Sequence, residues 1–347
     1  MGWMQPWSIS WRGRLEEHVF ESAILRHNPL GDPAARPLLV YLPPAYAAEP
    51  QRRFPSIYLI QGMTGQLDMW RNRSAFRPTV PELIDELFAG DVEAAPPTII
   101  VFVDCWTSFG GSQFIDSAGT GRYGTYLADE VVDWVDGHYR TLAEPAHRGI
   151  AGKSSGGYGA MINALLRPDR FGGLATHAGD ALFEVCYQDE FASVARALRD
   201  GFGGSYERWL ADFRSRPAFS SAADAALLDS YAMAACYSAD PDGTVQLPFD
   251  PATGELIPEV WARWLAWDPV RVARTEKGIA ALRSLRAIYI DAGTRDEYHL
   301  DLGAEAFRRA CAAAGSVTPF FELFDAAHGG IEYRYPIALR YLAERLA

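Results

Sequence analysis

The chain predicts an α/β fold: a mainly parallel central sheet with helices on both faces and an inserted, mostly helical cap. Three observations carry this. Seven short apolar runs of strand length recur along the chain, helix-like stretches separate or follow most of them, and one stretch of about 180 to 283 lacks any strong buried strand. Residues 1–179 and 284–347 therefore form the core, and residues 180–283 the cap or lid.

In chain order, Trp3, Trp7 and Trp11 either pin a leading arm onto the body or meet a second subunit, and "EEHVFESAIL" reads as an extra, antiparallel leading strand. The runs "PLLVYLPPAY", "PSIYLIQG" and "TIIVFVDCW" are rich in Val, Ile, Tyr and Phe, as strands buried on both faces tend to be. "GTYLADEVVDWVDGHYR" follows as a helix, then the strand "HRGIAGKS", the helix "GAMINALLRPD" and the strand "GLATHAG". In the cap, "DEFASVARALRDGF" and "SYERWLADF" read as helices, and Pro, Gly and Asp clusters mark turns between elements. Trp261, Trp264 and Trp267 fall at i, i+3 and i+6, roughly one helix face. They either glue the cap to the core or line an apolar acyl site. The core resumes with the strand "RAIYIDAG", the helix "GAEAFRRACAAAG", the strand-to-turn segment "TPFFELFDAAHGG" and the closing helix "YPIALRYLAERLA". Such a sheet binds ligands at the carboxyl ends of its strands.

Composition narrows the partners. The chain has 347 residues, 49% of them hydrophobic and 22% charged, with a formal net charge of -12. That charge argues against nucleic acid or an anionic membrane, both of which need clustered positive residues. A small-molecule partner is expected, and a homo-oligomer is left open. Cys105, Cys186, Cys236 and Cys311 lie far apart with no C-x-x-C pair, so neither a zinc cluster nor a redox motif is expected. No basic stretch followed by an apolar run opens the chain, and no apolar window spans a bilayer. A cytoplasmic setting, no cofactor and no metal are the expectations.

Gly152-Lys153-Ser154-Ser155-Gly156 is a G-x-S-x-G between a strand and a helix, the context in which a serine sits on a sharp nucleophile elbow. The helix start also offers N–H groups to a developing anion. A serine needs a base and an acid that orients it. His328 ends the last strand at a glycine turn, which puts it at the same sheet edge, with His177 and His299 as the competitors. Asp296 lies in the loop after "RAIYIDAG" and is the preferred acid, with Asp291 second. The order Ser154, Asp296, His328 is that of the α/β-hydrolase fold.

"YLPPAY", "YLIQGMTG", "GKSSGGYGAM", "DAGTRDEY" and "AHGG" together resemble the Putative esterase family of α/β-hydrolases, which includes S-formylglutathione hydrolases, enterochelin esterases, feruloyl and acetylxylan esterases and mycolyltransferase antigens. The resemblance spans nearly the whole chain outside residues 180–283. It implies Ser154 as nucleophile, Asp296 as orienting acid and His328 as base. Lys153 before the serine, and "HGGIEYRY" in place of a tryptophan-bearing segment after the histidine, depart from the common pattern. The resemblance also implies an oxyanion hole from the N–H groups of Ser155 and of Met63 in the turn "QGMTG", with Thr64 as the fallback and Gly62 and Gly65 giving backbone freedom. The glycine-rich loop of residues 104–130 follows a strand at the same edge. It is either an ordered structural loop or a substrate wall, in which case Trp106, Gln113, Phe114 and Asp116 are contacts along with Thr64. The expected activity is serine carboxylic-ester hydrolysis through an acyl-enzyme. Acyl transfer and thioester hydrolysis use the same residues, and a catalytically silent ligand binder is the alternative of another class.

Overall fold

The computed structural model describes residues 10–89 and 94–347. Eight strands form the central sheet: β1 (Arg14–Glu21), β2 (Ala35–Leu42), β3 (Ser56–Ile60), β4 (Ile99–Val103), β5 (Arg148–Ser154), β6 (Gly173–Gly179), β7 (Ala287–Gly293) and β8 (Phe320–Phe324). Their spatial order is β1-β2-β4-β3-β5-β6-β7-β8. β1 runs antiparallel to β2 and β2 to β4, while every other pairing is parallel. The expected strands and the antiparallel leader are all present. Trp3 and Trp7 lie outside the described residues, and Trp11 is exposed.

The continuous apolar runs follow from burial on both faces. Side chains alternate across a strand, so Leu38, Val40, Tyr58, Ile60, Val101 and Val103 join one core while Leu39, Tyr41, Ile57, Leu59, Ile100 and Phe102 join the other. The second core is closed by α1 (Val80–Ala89) and the C-terminal helix Tyr335–Leu346. The first is covered by α2 (Val132–His138), which continues from a π-helical turn at Tyr126–Val131, and by α3 (Ser155–Leu166).

Between β6 and β7 the described chain forms no sheet strand. It runs through a turn of helix at Phe183–Cys186, then α4 (Phe191–Phe202), α5 (Tyr206–Ser215), α6 (Asp224–Tyr237), α7 (Pro258–Leu265), a turn at Pro269–Val272, and α8 (Glu276–Ser284). Local capping sets several of these boundaries: Ser205 accepts a hydrogen bond from Arg208 N–H at the start of α5, and Thr275 from Gly278 N–H at the start of α8. Not all of this stretch stands over the sheet edge. α8 packs on α3 and on α9 (Leu300–Ala314), so it belongs to the helix layer that flanks the sheet. The closing helix Tyr335–Leu346 is α10. None of the helices is long and apolar enough to cross a membrane, among the described residues.

Candidate active site

Ser154 ends β5 and stands at the N-terminal boundary of α3 with φ 59° and ψ −129°. A side chain in that conformation costs on the order of 1–3 kcal/mol and persists only where its surroundings enforce it. Two glycines do so. A Cβ on Gly152 would lie 2.5 Å from the carbonyl carbon of Gly156, and one on Gly156 would lie 2.5 Å from the Ile60 carbonyl oxygen. Strand, turn and helix thus pass too close for any side chain, and Ser154 is lifted above the end of the sheet. The first N–H groups of α3 have no partner within the helix and face the same end.

Asp296 and His328 arrive from two other loops. Asp296 follows β7, with its side chain fully buried, and its Oδ1 accepts from Tyr298 N–H at 2.9 Å. His328 follows β8, and its Nδ1 lies 2.8 Å from Asp296 Oδ2. Its backbone N–H donates to Glu297 Oε2 at 3.0 Å, and the Tyr298 ring packs edge-on against the imidazole at 5.0 Å. Ser154 and His328 both line one cavity of about 820 Å³ at the carboxyl end of the sheet. Met63, Thr64 and Ser155 line it as well, the first two from a turn closed by a Gly65 N–H to Gly62 carbonyl bond of 3.1 Å.

The second choices of the sequence reading pair with each other elsewhere. His177 Nδ1 lies 2.6 Å from Asp291 Oδ1, both fully buried, and Asp291 also accepts from Arg334 Nε at 2.9 Å and Tyr289 OH at 2.8 Å. Burial pushes the Asp291 carboxyl upward, but His177, Arg334 and Tyr289 outweigh it and leave it below its ordinary value. His299 stays at the surface, its Nε2 3.9 Å from Asp189.

The loop of residues 104–130 corrects an expectation. Trp106, Gln113, Phe114 and Asp116 do not line the cavity. Trp106 is held in a two-residue hairpin, and its carbonyl accepts from Arg36. Gln113 is fully buried one layer behind the wall, donating to Tyr237 OH at 2.9 Å and to Asp180 Oδ2 at 3.2 Å. Phe114 packs into the core on the face of α3 that Gly159 leaves open. Asp116 ties its own turn together by accepting from Thr125 N–H at 2.8 Å. The loop acts from behind: Gly111 N–H donates to Met63 Sδ at 3.4 Å and so buttresses the turn that faces the cavity. Trp261 and Trp264 do not line the cavity either. They are buried against Phe191, and Trp264 Nε1 donates to Ser238 Oγ at 2.8 Å, so both pack within the cap itself and neither lines an acyl site on this cavity.

The sequence reading missed four cavity carboxylates: Asp180, Glu190, Asp229 and Glu332. Asp180 had a signal, since it directly follows β6 at the rim. There the pairing with β5 slips between His177 and Gly179, a bulge that turns the chain as it leaves the sheet. Asp180 Oδ2 accepts from Tyr187 OH at 2.8 Å and Ser155 Oγ at 3.2 Å. Burial pushes the Asp180, Glu190 and Asp229 carboxyls above their ordinary values. Glu190 and Asp229 come from the cap, where no strand end marks their position. Among the described residues no group of three or more His, Cys, Asp or Glu is arranged to hold a metal ion.

Comparison with known proteins bears on this arrangement. The model of a family described as "Putative esterase" matches residues 33–318. Esterase Rv1288 of Mycobacterium tuberculosis is 29% identical over 198 residues, which cover 55% of this chain and 38% of that protein. An uncharacterized protein of Corynebacterium glutamicum is 26% identical over 145 residues, 42% of this chain and 33% of its own. The chain thus spans less than half the length of these curated relatives. Among solved structures, a ferulic acid esterase superposes with a TM-score of 0.62 at 18% identity, over 97% of this chain and all of its own. An S-formylglutathione hydrolase from Agrobacterium tumefaciens superposes with a TM-score of 0.57 at 17% identity, over 98% of each chain. At these identities the superpositions speak for the fold, a mainly parallel sheet flanked by helices.

Proposed function

From the premise that this chain belongs to the Putative esterase family, we propose that it is a serine carboxylic-ester hydrolase acting through an acyl-enzyme on a small-molecule ester. The observation that carries the reading is the His328–Asp296 pair at 2.8 Å, with His328 and the strained Ser154 on the wall of one cavity. In this reading Asp296 accepts from His328 Nδ1–H and so leaves Nε2 free to take the Ser154 proton as the hydroxyl attacks the ester carbonyl. The Ser154 Oγ–carbonyl carbon bond forms, and the carbonyl electrons move onto oxygen. The N–H groups of Ser155 and Met63 receive that oxyanion, a role worth on the order of 100-fold or more in turnover per donor. The imidazolium returns the proton to the departing alcohol. Water, deprotonated by the same histidine, then releases the acid.

A fluorophosphonate probe tests the reading, because it phosphonylates a serine whose hydroxyl a neighbouring base has activated. Stoichiometric labelling at Ser154, lost in Ser154→Ala together with hydrolysis of p-nitrophenyl esters, is the expected result. Folded wild-type protein that takes up no probe would turn the reading into that of a silent ligand binder.

A further inference from the structure

Nucleophile and base stand on separate elements, Ser154 at the end of β5 and His328 in the loop after β8, and two strands lie between them in the sheet. The ties that hold His328 are local to the acid loop: its ring to Asp296, its backbone N–H to Glu297 and its aromatic contact to Tyr298. Nearby, Arg295 pairs with Asp325 and donates its N–H to the Ala326 carbonyl, which again joins the loop after β7 to the loop after β8. These contacts fix base against acid. They do not fix base against nucleophile.

Among the described residues, one ion pair crosses that gap. Lys153, the residue before Ser154, donates from Nζ to Glu332 Oε1 at 3.0 Å, and Glu332 lies four residues beyond His328. Lys153 is well buried, with 16% of its side chain exposed against 44% for Glu332, so the contact is partly shielded from solvent screening. Both side chains line the same cavity as Ser154 and His328. Glu332 opens the short helical turn Glu332–Arg334, whose far end is fixed: Arg334 is buried and donates to Asp291 and to Glu322. A segment anchored at Arg334 and at His328 is thus drawn toward the elbow from its middle.

Resting on the esterase reading, we propose that Lys153 and Glu332 form a positioning clamp that holds the His328 loop at working distance from Ser154. The pair touches neither acid nor base and takes no proton. It acts through geometry, where a misplacement of about 1 Å can cost on the order of 100-fold in rate. The clamp selects turnover over binding, since the ester's seat among the cavity walls does not depend on the angle of the imidazole.

The test compares wild type with Lys153→Met, Glu332→Gln, the double variant and the conservative Lys153→Arg, each read by kcat and KM on a p-nitrophenyl ester and by the rate of fluorophosphonate labelling. Each single variant is expected to lose on the order of 10-fold in kcat and in labelling rate, with a smaller change in KM because both side chains also line the cavity. The double variant is expected to be no worse than the poorer single one, and Lys153→Arg to retain most of the rate, because partners in one interaction are not additive. Glu332→Gln that labels as fast as a reactive wild type overturns the clamp alone, as do single losses that multiply in the double variant. A wild type that never labels overturns the esterase reading first. Because Glu332 lies at the surface end of the pair, its variant remains informative should changes at position 153 disturb the elbow.

Discussion

Asp229 brings a carboxyl to the cavity wall without a hydrogen-bond partner among the described residues, and its neighbours there include Asp180 and Glu190. Burial first, and then the charges of those two groups, pushes it well above the carboxylate range. A carboxyl raised in the folded state binds its proton more tightly there than in the unfolded chain. Its stabilising contribution is full at low pH and is lost as pH rises through the folded pKa. Asp229→Asn removes that titration, so the variant is expected to melt higher than wild type near about pH 8, with the gap closing toward about pH 4. A gap independent of pH would show that Asp229 ionises as an ordinary surface acid. The same residue shows where sequence reading stops. Ser154, Asp296 and His328 could be picked out because each sits where a strand of a parallel sheet ends, a position that apolar runs and glycines announce. Asp229 and Glu190 reach the cavity from cap helices, and only the packing of those helices decides which side chains face inward.

At the scale of elements, steric closeness does what propensity cannot. Gly156 lies in the first turn of α3, and an added methyl would sit 2.5 Å from the Ile60 carbonyl and 2.7 Å from that of Gln61, both backbone atoms that cannot step aside. Gly156→Ala is expected to cost on the order of 1–3 kcal/mol in urea denaturation. Gly137, inside α2 with nothing within 4 Å of such a methyl, serves as the contrast. Its alanine variant is expected to gain up to about 1 kcal/mol from helix propensity alone. Equal effects at the two positions would remove the steric account of the elbow. The eight strands were readable because runs such as "TIIVFV" bury both faces, whereas α1, α6 and α8 were not. α1 carries Glu82 and Asp85 on its buried side, where Arg73 pairs with the first and Tyr41 OH donates to the second at 3.0 Å, so polar residues break its apolar stripe. α6 is buried around most of its circumference, and a helix that is apolar on all sides has no stripe to read.

The molecule as a whole shares one interior between sheet and cap. Leu174 and Ala178 of β6, Leu198 of α4, Trp209 of α5 and Trp264 of α7 all belong to the same buried cluster. Independent unfolding of the cap would expose those aromatic faces to water, at roughly 25 cal/mol per Å² of apolar surface. A single calorimetric transition, with calorimetric and van't Hoff enthalpies equal, is therefore expected. Two resolved transitions would mean that the cap stands on its own. The merged interior also limits how such a protein diversifies. Its roof is a poor candidate for exchange as a cassette, because the joint would be cut through the packed rings of Tyr158, Phe183 and Tyr237. New substrate preferences must come instead by exchanging single residues on the cavity wall, with the scaffold behind them left whole.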